Sequence, residues 1–180
     1  MDIYNIKFTR LQLEIFRLLC VKTGEQLNQT QLAGYLAVSP TAIGKSLPAL
    51  EKEGIVTIFH GKTNLNLVTL NRDSRRVLDL KRAENMKMLY ESGLPAYLEE
   101  NLPGVTIVLF GSYSKGDDIS RSDIDIAVIG RKQKDLDMNV FQKSLQKEIR
   151  INYYGSIKDV NHLLLSSICN GIVLSGGIEL

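Results

Sequence analysis

Apolar residues at Leu11, Ile15, Leu18 and Leu19 recur at helical spacing between Phe8 and Val21, and Thr9 precedes them as an N-cap. A second, shorter stripe, Leu32 and Leu36, begins at Asn28 or Thr30. Ser39-Pro40 then couples a capping residue to proline at a first helical position. A third helix is predicted over residues 40–53, with Ile43, Leu47 and Leu50 inward and Gly54 stopping it. Pro48 has no N–H for the carbonyl of Gly44, so a bend is expected inside this helix. The period changes at Ile55. Two β-rich runs, 55–59 and 65–70, flank His60-Gly61-Lys62-Thr63-Asn64 and predict a hairpin.

Further on, residues 72–92 are strongly helical, with Val77, Leu80, Met88 and Leu89 set among Arg72, Arg75, Arg76, Lys81, Arg82 and Lys87. The basic residues read as a solvated face of a linker helix. Leu94 to Asn101 is another short helix, closed by Pro103-Gly104. Residues 105–110 form a buried-strand run ending at Gly111-Ser112, and residues 122–129 form a second strand. A helix over 138–147, an alternating strand over 148–154 and a helix over 157–169 complete the pattern. The boundary falls near residue 71, giving domains 1–71 and 72–180.

Composition adds less than its distribution. With 44% hydrophobic and 23% charged residues the chain reads as an ordinary globular protein. The net charge of +2 argues weakly for a nucleic-acid partner, but residues 1–90 balance to +5 and residues 91–180 to −3. A basic front and an acidic rear point to two modules with different partners. Cys20 and Cys169 lie in separate helical patterns and read as buried thiols of a reducing compartment. MDIYNIKFTR has no apolar stretch of signal-peptide length, and no run is long enough to span a membrane. A cytoplasmic protein without a membrane partner is expected.

Three helices followed by a hairpin is the order of a winged helix-turn-helix. The stretch LAVSPTAIGKSLPALEKEGIV resembles the second and recognition helices of MarR-like winged-helix regulators, a likeness covering about residues 8–70. A recognition helix presents its N-terminal residues to base edges in the major groove. On that reading Thr41, Ala42, Lys45 and Ser46 face DNA, and Lys62 at the hairpin tip, with His60, reaches phosphates. Winged helices pair on palindromic sites, so a homodimer is expected. The alternative is a module for protein–protein contact alone.

The chemistry-bearing unit is LFGSYSKGDDISRSDIDIAVIG. Residues two apart in a strand share a face, so Asp123 and Asp125 project together while Ile124 and Ile126 turn to the core. Two adjacent carboxylates repel unless a cation lies between them, and hard oxygen ligands favour Mg²⁺ or Mn²⁺ with phosphate oxygens as further ligands. Gly111 allows close backbone approach. Ser112 offers a hydroxyl and an N–H, and Lys115 a cation, to a triphosphate. An apolar residue, Gly-Ser, a spacer and Asp-apolar-Asp-apolar resembles the signature of the polymerase-β-like nucleotidyltransferases, and SICNGIVLSGG resembles the closing segment of minimal members. Ser175 stands where those have tyrosine. The likeness covers about residues 94–180.

The resemblance implies an α/β (α+β overall) chain, a winged helix-turn-helix followed by a small mixed sheet flanked by helices. It also implies metal-assisted attack on the α-phosphate of a nucleoside triphosphate, with pyrophosphate leaving. Active members carry a third carboxylate on the strand after the Asp pair. Glu148 is the acid available there, unless the position falls on Arg150 or Asn152. Arg121 is a further candidate for the triphosphate. Tyr113 either stacks on a base or caps the core, and Asp117-Asp118 reads as a turn. His60 and His162 form no dyad.

Three functions fit these features. A DNA-bound transferase would pass a nucleotidyl group to a protein or nucleic-acid hydroxyl. A regulator would sense nucleotide without turnover. An antitoxin-like component would act on a protein partner.

Overall fold

The computed structural model describes residues 7–60 and 66–178, in two units, Met1–Val77 and Leu78–Leu180. In the first unit α1 (Arg10–Val21) starts at Thr9, whose hydroxyl accepts from the Gln12 N–H while the Gln12 side chain accepts from the Thr9 N–H. This reciprocal cap satisfies two otherwise unpaired donors. Asn28 and Gln31 repeat the device at α2 (Gln29–Leu36), and the Ser39 hydroxyl with Pro40 opens α3 (Pro40–Lys52). Helix α3 continues through Pro48, which is exposed. Its inward stripe of Ile43, Leu47 and Leu50 packs into a core with Ile15, Leu19, Leu32, Ile55 and Val68.

The hairpin strands β2 (Val56–His60) and β3 (Asn66–Leu70) pair antiparallel, Val56 opposite Leu70 and His60 opposite Asn66. A two-residue strand β1 (Leu27–Asn28) adds to β3, giving the order β1-β3-β2. Periodicity misses so short a strand, because two residues carry no alternation. Three helices and this sheet make a winged helix-turn-helix.

Helix α4 (Arg75–Glu91) begins in the first unit and continues in the second, followed by α5 (Leu94–Asn101). The second unit is built on a four-stranded sheet of order β6-β5-β4-β7. Strand β4 (Thr106–Phe110) pairs antiparallel with β5 (Ile124–Ile129) and β7 (Ile172–Ser175), and β5 pairs parallel with β6 (Ile149–Tyr154). Short α6 (Gly111–Lys115) follows β4, α7 (Asn139–Leu145) precedes β6, and α8 (His162–Cys169) precedes β7. Alternating residues serve two cores. Ile107, Leu109, Ile124, Ile126 and Val128 pack with Leu89, Leu94 and Leu98 on one face, and Val108, Phe110 and Ala127 pack with Val160 and Ile168 on the other.

Three sequence expectations change, and Ser175 gains a partner. The helix predicted over 157–169 is a 3-10 turn (Ile157–Asp159) and then α8, separated by extended Val160, with the Asn161 side chain capping the new start. Cys20 is buried but Cys169, in the last turn of α8, is exposed. Lys81, assigned to a solvated face, is wholly buried. The hydroxyl of Ser175 donates to Glu99 Oε1 at 3.1 Å, which gives that position a partner on α5. Among the described residues no helix is long and apolar enough to cross a membrane.

Candidate functional site

The carboxylate pair sits where β4 and β5 leave the core. Asp125 lies in β5 opposite Phe110, the last residue of β4, so it stands beside the turn that begins at Gly111. Gly111 has φ +78°, and a β-carbon there would lie 2.6 Å from Asp125 Oδ2. Glycine is therefore required twice over, for its left-handed backbone and for the space that Asp125 fills. Ser112, half-buried, is the second residue of α6, and Lys115 at its far end is exposed. Asp123 precedes β5 by one residue.

Parallel pairing of β5 with β6 puts Arg150 opposite Asp125, and Arg150 Nη2 lies 2.9 Å from Asp123 Oδ2. The arginine is largely exposed, while Asp123 is mostly covered. Burial, and then the neighbouring Asp123 charge, pushes the Asp125 carboxyl above the ordinary aspartate value, against a smaller opposing pull from Arg150. Glu148 lies outside β6 and is exposed, and its backbone carbonyl accepts from the Ile124 N–H at 2.8 Å. Asn152 pairs with Ala127 further along. Among the described residues no group of three or more His, Cys, Asp or Glu side chains is placed to hold a metal ion. The position beside Asp125 on β6 belongs to Arg150 and not to Glu148, so the expected third carboxylate is a cation instead.

An open cleft of about 400 Å³ lies against this end of the sheet, lined by Ser120, Arg121, Asp123, Lys147, Glu148 and Arg150 among others. Asp125 and Gly111 are outside its lining. The donor set still suits a hard divalent ion. Two carboxylate oxygen donors stand two residues apart, one already holding a guanidinium, and water and phosphate oxygens can complete six ligands.

The loop from Gly116 to Asp123 is held by groups that periodicity did not single out. A β-carbon on Gly116 (φ +81°) would lie 2.5 Å from the Leu78 carbonyl and 2.8 Å from the Arg82 nitrogen, so the loop rests on α4 itself. Asp118, wholly buried, is bound by Lys81 Nζ and by Asn85 Nδ2 (2.7 Å) through Oδ1. Its Oδ2 forms an ion pair with Lys147 Nζ at 3.1 Å without hydrogen-bond geometry. Lys147 also donates to the carbonyls of Ile119 (2.7 Å) and Ser122 (3.3 Å). Tyr113 belongs to the core, with its hydroxyl donating to the Asn85 carbonyl at 3.0 Å. The available signal was the spacing Val77, Lys81, Asn85 and Leu89, which puts two polar residues in a stripe of fours ending in apolar ones.

Residues 94–177 match the family model described as "Polymerase beta, Nucleotidyltransferase". The chain carries a nucleotidyltransferase-fold domain. In that domain the Gly-Ser turn after β4 and the Asp123-Ile124-Asp125 segment at the start of β5 meet at one end of the sheet, with Arg150 beside them. No curated protein matches the chain. Among solved structures, the zinc-responsive MarR family member ZitR of Lactococcus lactis is similar at 22% identity and TM-score 0.39, over 56% of this chain and 65% of that one. The MepR–DNA complex of S. aureus is similar at 16% identity and TM-score 0.39, over 53% of this chain and 78% of that one. The chain thus spans just under two thirds of the ZitR chain.

In the winged helix, Thr41 and Lys45 are exposed near the start of α3 and Ala42 and Ser46 are half-buried. The Ser46 hydroxyl donates back to the Ala42 carbonyl at 3.0 Å. That bond occupies its proton and leaves lone pairs to accept. His60 is hydrogen-bonded across the hairpin to Asn66 Oδ1 at 2.9 Å. Lys62 lies outside the described residues.

Proposed function

We propose that the chain is a DNA-binding protein whose nucleotidyltransferase-fold domain binds a nucleoside triphosphate with Mg²⁺ or Mn²⁺ and reports its presence without turnover. The observation that carries this reading is the pair of facts at one end of β5: Asp125 packed into the space at Gly111, and Arg150 opposite it. The first supports a metal–phosphate site built from Asp123, Asp125, Gly111, Ser112 and Lys115. The second favours binding over transfer, because a guanidinium cannot accept the proton of an attacking hydroxyl.

Transfer of a nucleotidyl group is the second reading. The uninterrupted Gly-Ser and Asp-x-Asp constellation favours it, with Asp123 or Asp125 orienting the acceptor and Glu148 reaching in from the cleft. DNA contact is supported by the exposed Thr41 and Lys45 at the start of α3 and by the positive balance of the first ninety residues. Two copies on a palindromic site would follow from that mode of binding.

The test is label incorporation and pyrophosphate release from each α-³²P-labelled nucleoside triphosphate, with Mg²⁺ or Mn²⁺, run beside equilibrium binding. Metal-dependent binding without release, lost in Asp123→Asn/Asp125→Asn, is the expected result. Release that the double substitution abolishes would establish the transferase, and the labelled product would identify the acceptor.

A further inference from the structure

Resting on the metal–nucleotide site just described, we propose that Arg150 is a triphosphate ligand and makes the site select the metal-chelated nucleotide over the free metal ion. Three observations bear on this. The β5–β6 register sets Arg150 directly opposite Asp125, and its guanidinium rests 2.9 Å from Asp123 Oδ2. The arginine is 64% exposed, so it is free to turn toward the cleft that it lines with Asp123 and Arg121. Among the described residues no third acid joins Asp123 and Asp125 in a group placed to hold a metal ion.

The consequence is electrostatic. A bare divalent ion would meet two carboxylates and a guanidinium already neutralising one of them, and would have to displace it. That leaves a site of net charge −1, too poor in anionic ligands to hold such an ion tightly. A metal-bound triphosphate arrives with its own excess negative charge. When the metal takes Asp123, the released guanidinium gains phosphate oxygens, which it binds in a two-pronged fashion better than an exposed carboxylate. An exposed ion pair of this kind is a weak restraint, so exchanging its partner costs little. Arg150 thereby opposes free metal and supports the nucleotide complex, and metal and nucleotide bind cooperatively.

The experiment uses the full chain and Mn²⁺, with free Mn²⁺ followed by its EPR signal, first alone and then with each of ATP, GTP, CTP and UTP. The wild type should take up Mn²⁺ alone weakly and take it up more tightly when the preferred nucleotide is present. Arg150→Gln should tighten free Mn²⁺ about three- to fivefold, the size of a lost exposed ion pair, and weaken nucleotide binding in Mn²⁺ at least about tenfold. Arg150→Lys should keep the opposition to free metal but recover only part of the nucleotide affinity. Arg150→Asp, which installs a third acid, should give the tightest free-metal binding of the set. The side chain is exposed, so unchanged melting of these variants keeps the comparison clean. Unaltered free-metal affinity in Arg150→Gln, or unaltered nucleotide affinity, overturns the proposal while leaving the site reading in place. Metal-dependent nucleotide binding that persists in Asp125→Asn, or none in the wild type, removes the site reading and this inference with it.

Discussion

Asp125 fills the space that a β-carbon on residue 111 would need, with Oδ2 2.6 Å from that position. Gly111 opens α6 and Asp125 lies in β5, and the carboxylate occupies the space that the missing β-carbon leaves. Gly111→Ala would clash with the carboxylate and also hold alanine at φ +78°, a left-handed conformation costing about 1–2 kcal/mol. The substitution should lower the melting temperature and abolish metal-dependent nucleotide binding together. Retained binding with only a small loss of stability would mean the carboxylate does not need its place against the turn.

Burial and the Asp123 charge raise the Asp125 pKa in the folded chain, so folding favours its neutral form. The stability this provides is fully present below the ordinary aspartate pKa and is lost as pH rises through the raised value. Without metal and at low salt, Asp125→Asn should therefore melt above wild type at neutral pH, with the difference shrinking on acidification. Identical melting curves across that window, in the presence of a chelator, would count against the assignment.

Asp118 is the shared counter-ion of two buried lysines, Lys81 and Lys147. Removing one partner of a buried charge pair costs about 3–5 kcal/mol, so Asp118→Ala should destabilise the second unit by about that much. Lys81→Met should cost less, because Lys147 and Asn85 still reach the carboxylate. Urea unfolding of both variants checks the order. An Asp118→Ala cost below that of Lys81→Met would show that the lysines are neutralised elsewhere.

Lys45 is exposed near the start of α3. If it meets a phosphate, Lys45→Ala should weaken binding to a random-sequence duplex and reduce the slope of log affinity against log salt by about one. A base-edge contact would instead spare the random duplex and lower affinity only for a selected site. An unchanged affinity for both would remove Lys45 from the interface.

Much of this protein could be read without coordinates. Capping residues Thr9, Asn28 and Ser39 mark helix starts through local hydrogen bonds, and the apolar runs within 105–110 and 122–129 mark strands, because both signals span only a few neighbouring residues. The Gly-Ser and Asp-x-Asp residues were legible for the same reason. The two-residue spacing of Asp123 and Asp125 already puts both on one face of an extended segment.

What depended on long-range pairing was not legible. Whether Glu148, Arg150 or Asn152 faces Asp125 is a question of β5–β6 register, and a slip of two residues changes the answer while keeping the same face. The burial of Lys81 goes with a partner on a loop 37 residues away, since the Asp118 carboxylate offsets the cost of removing an ammonium from water. Sequence alone determined most of the longer helices and strands and the spacing of the two aspartates. Tertiary structure decided that a guanidinium, and not a third carboxylate, stands beside them, because strand pairing is a relation between segments that no local pattern encodes.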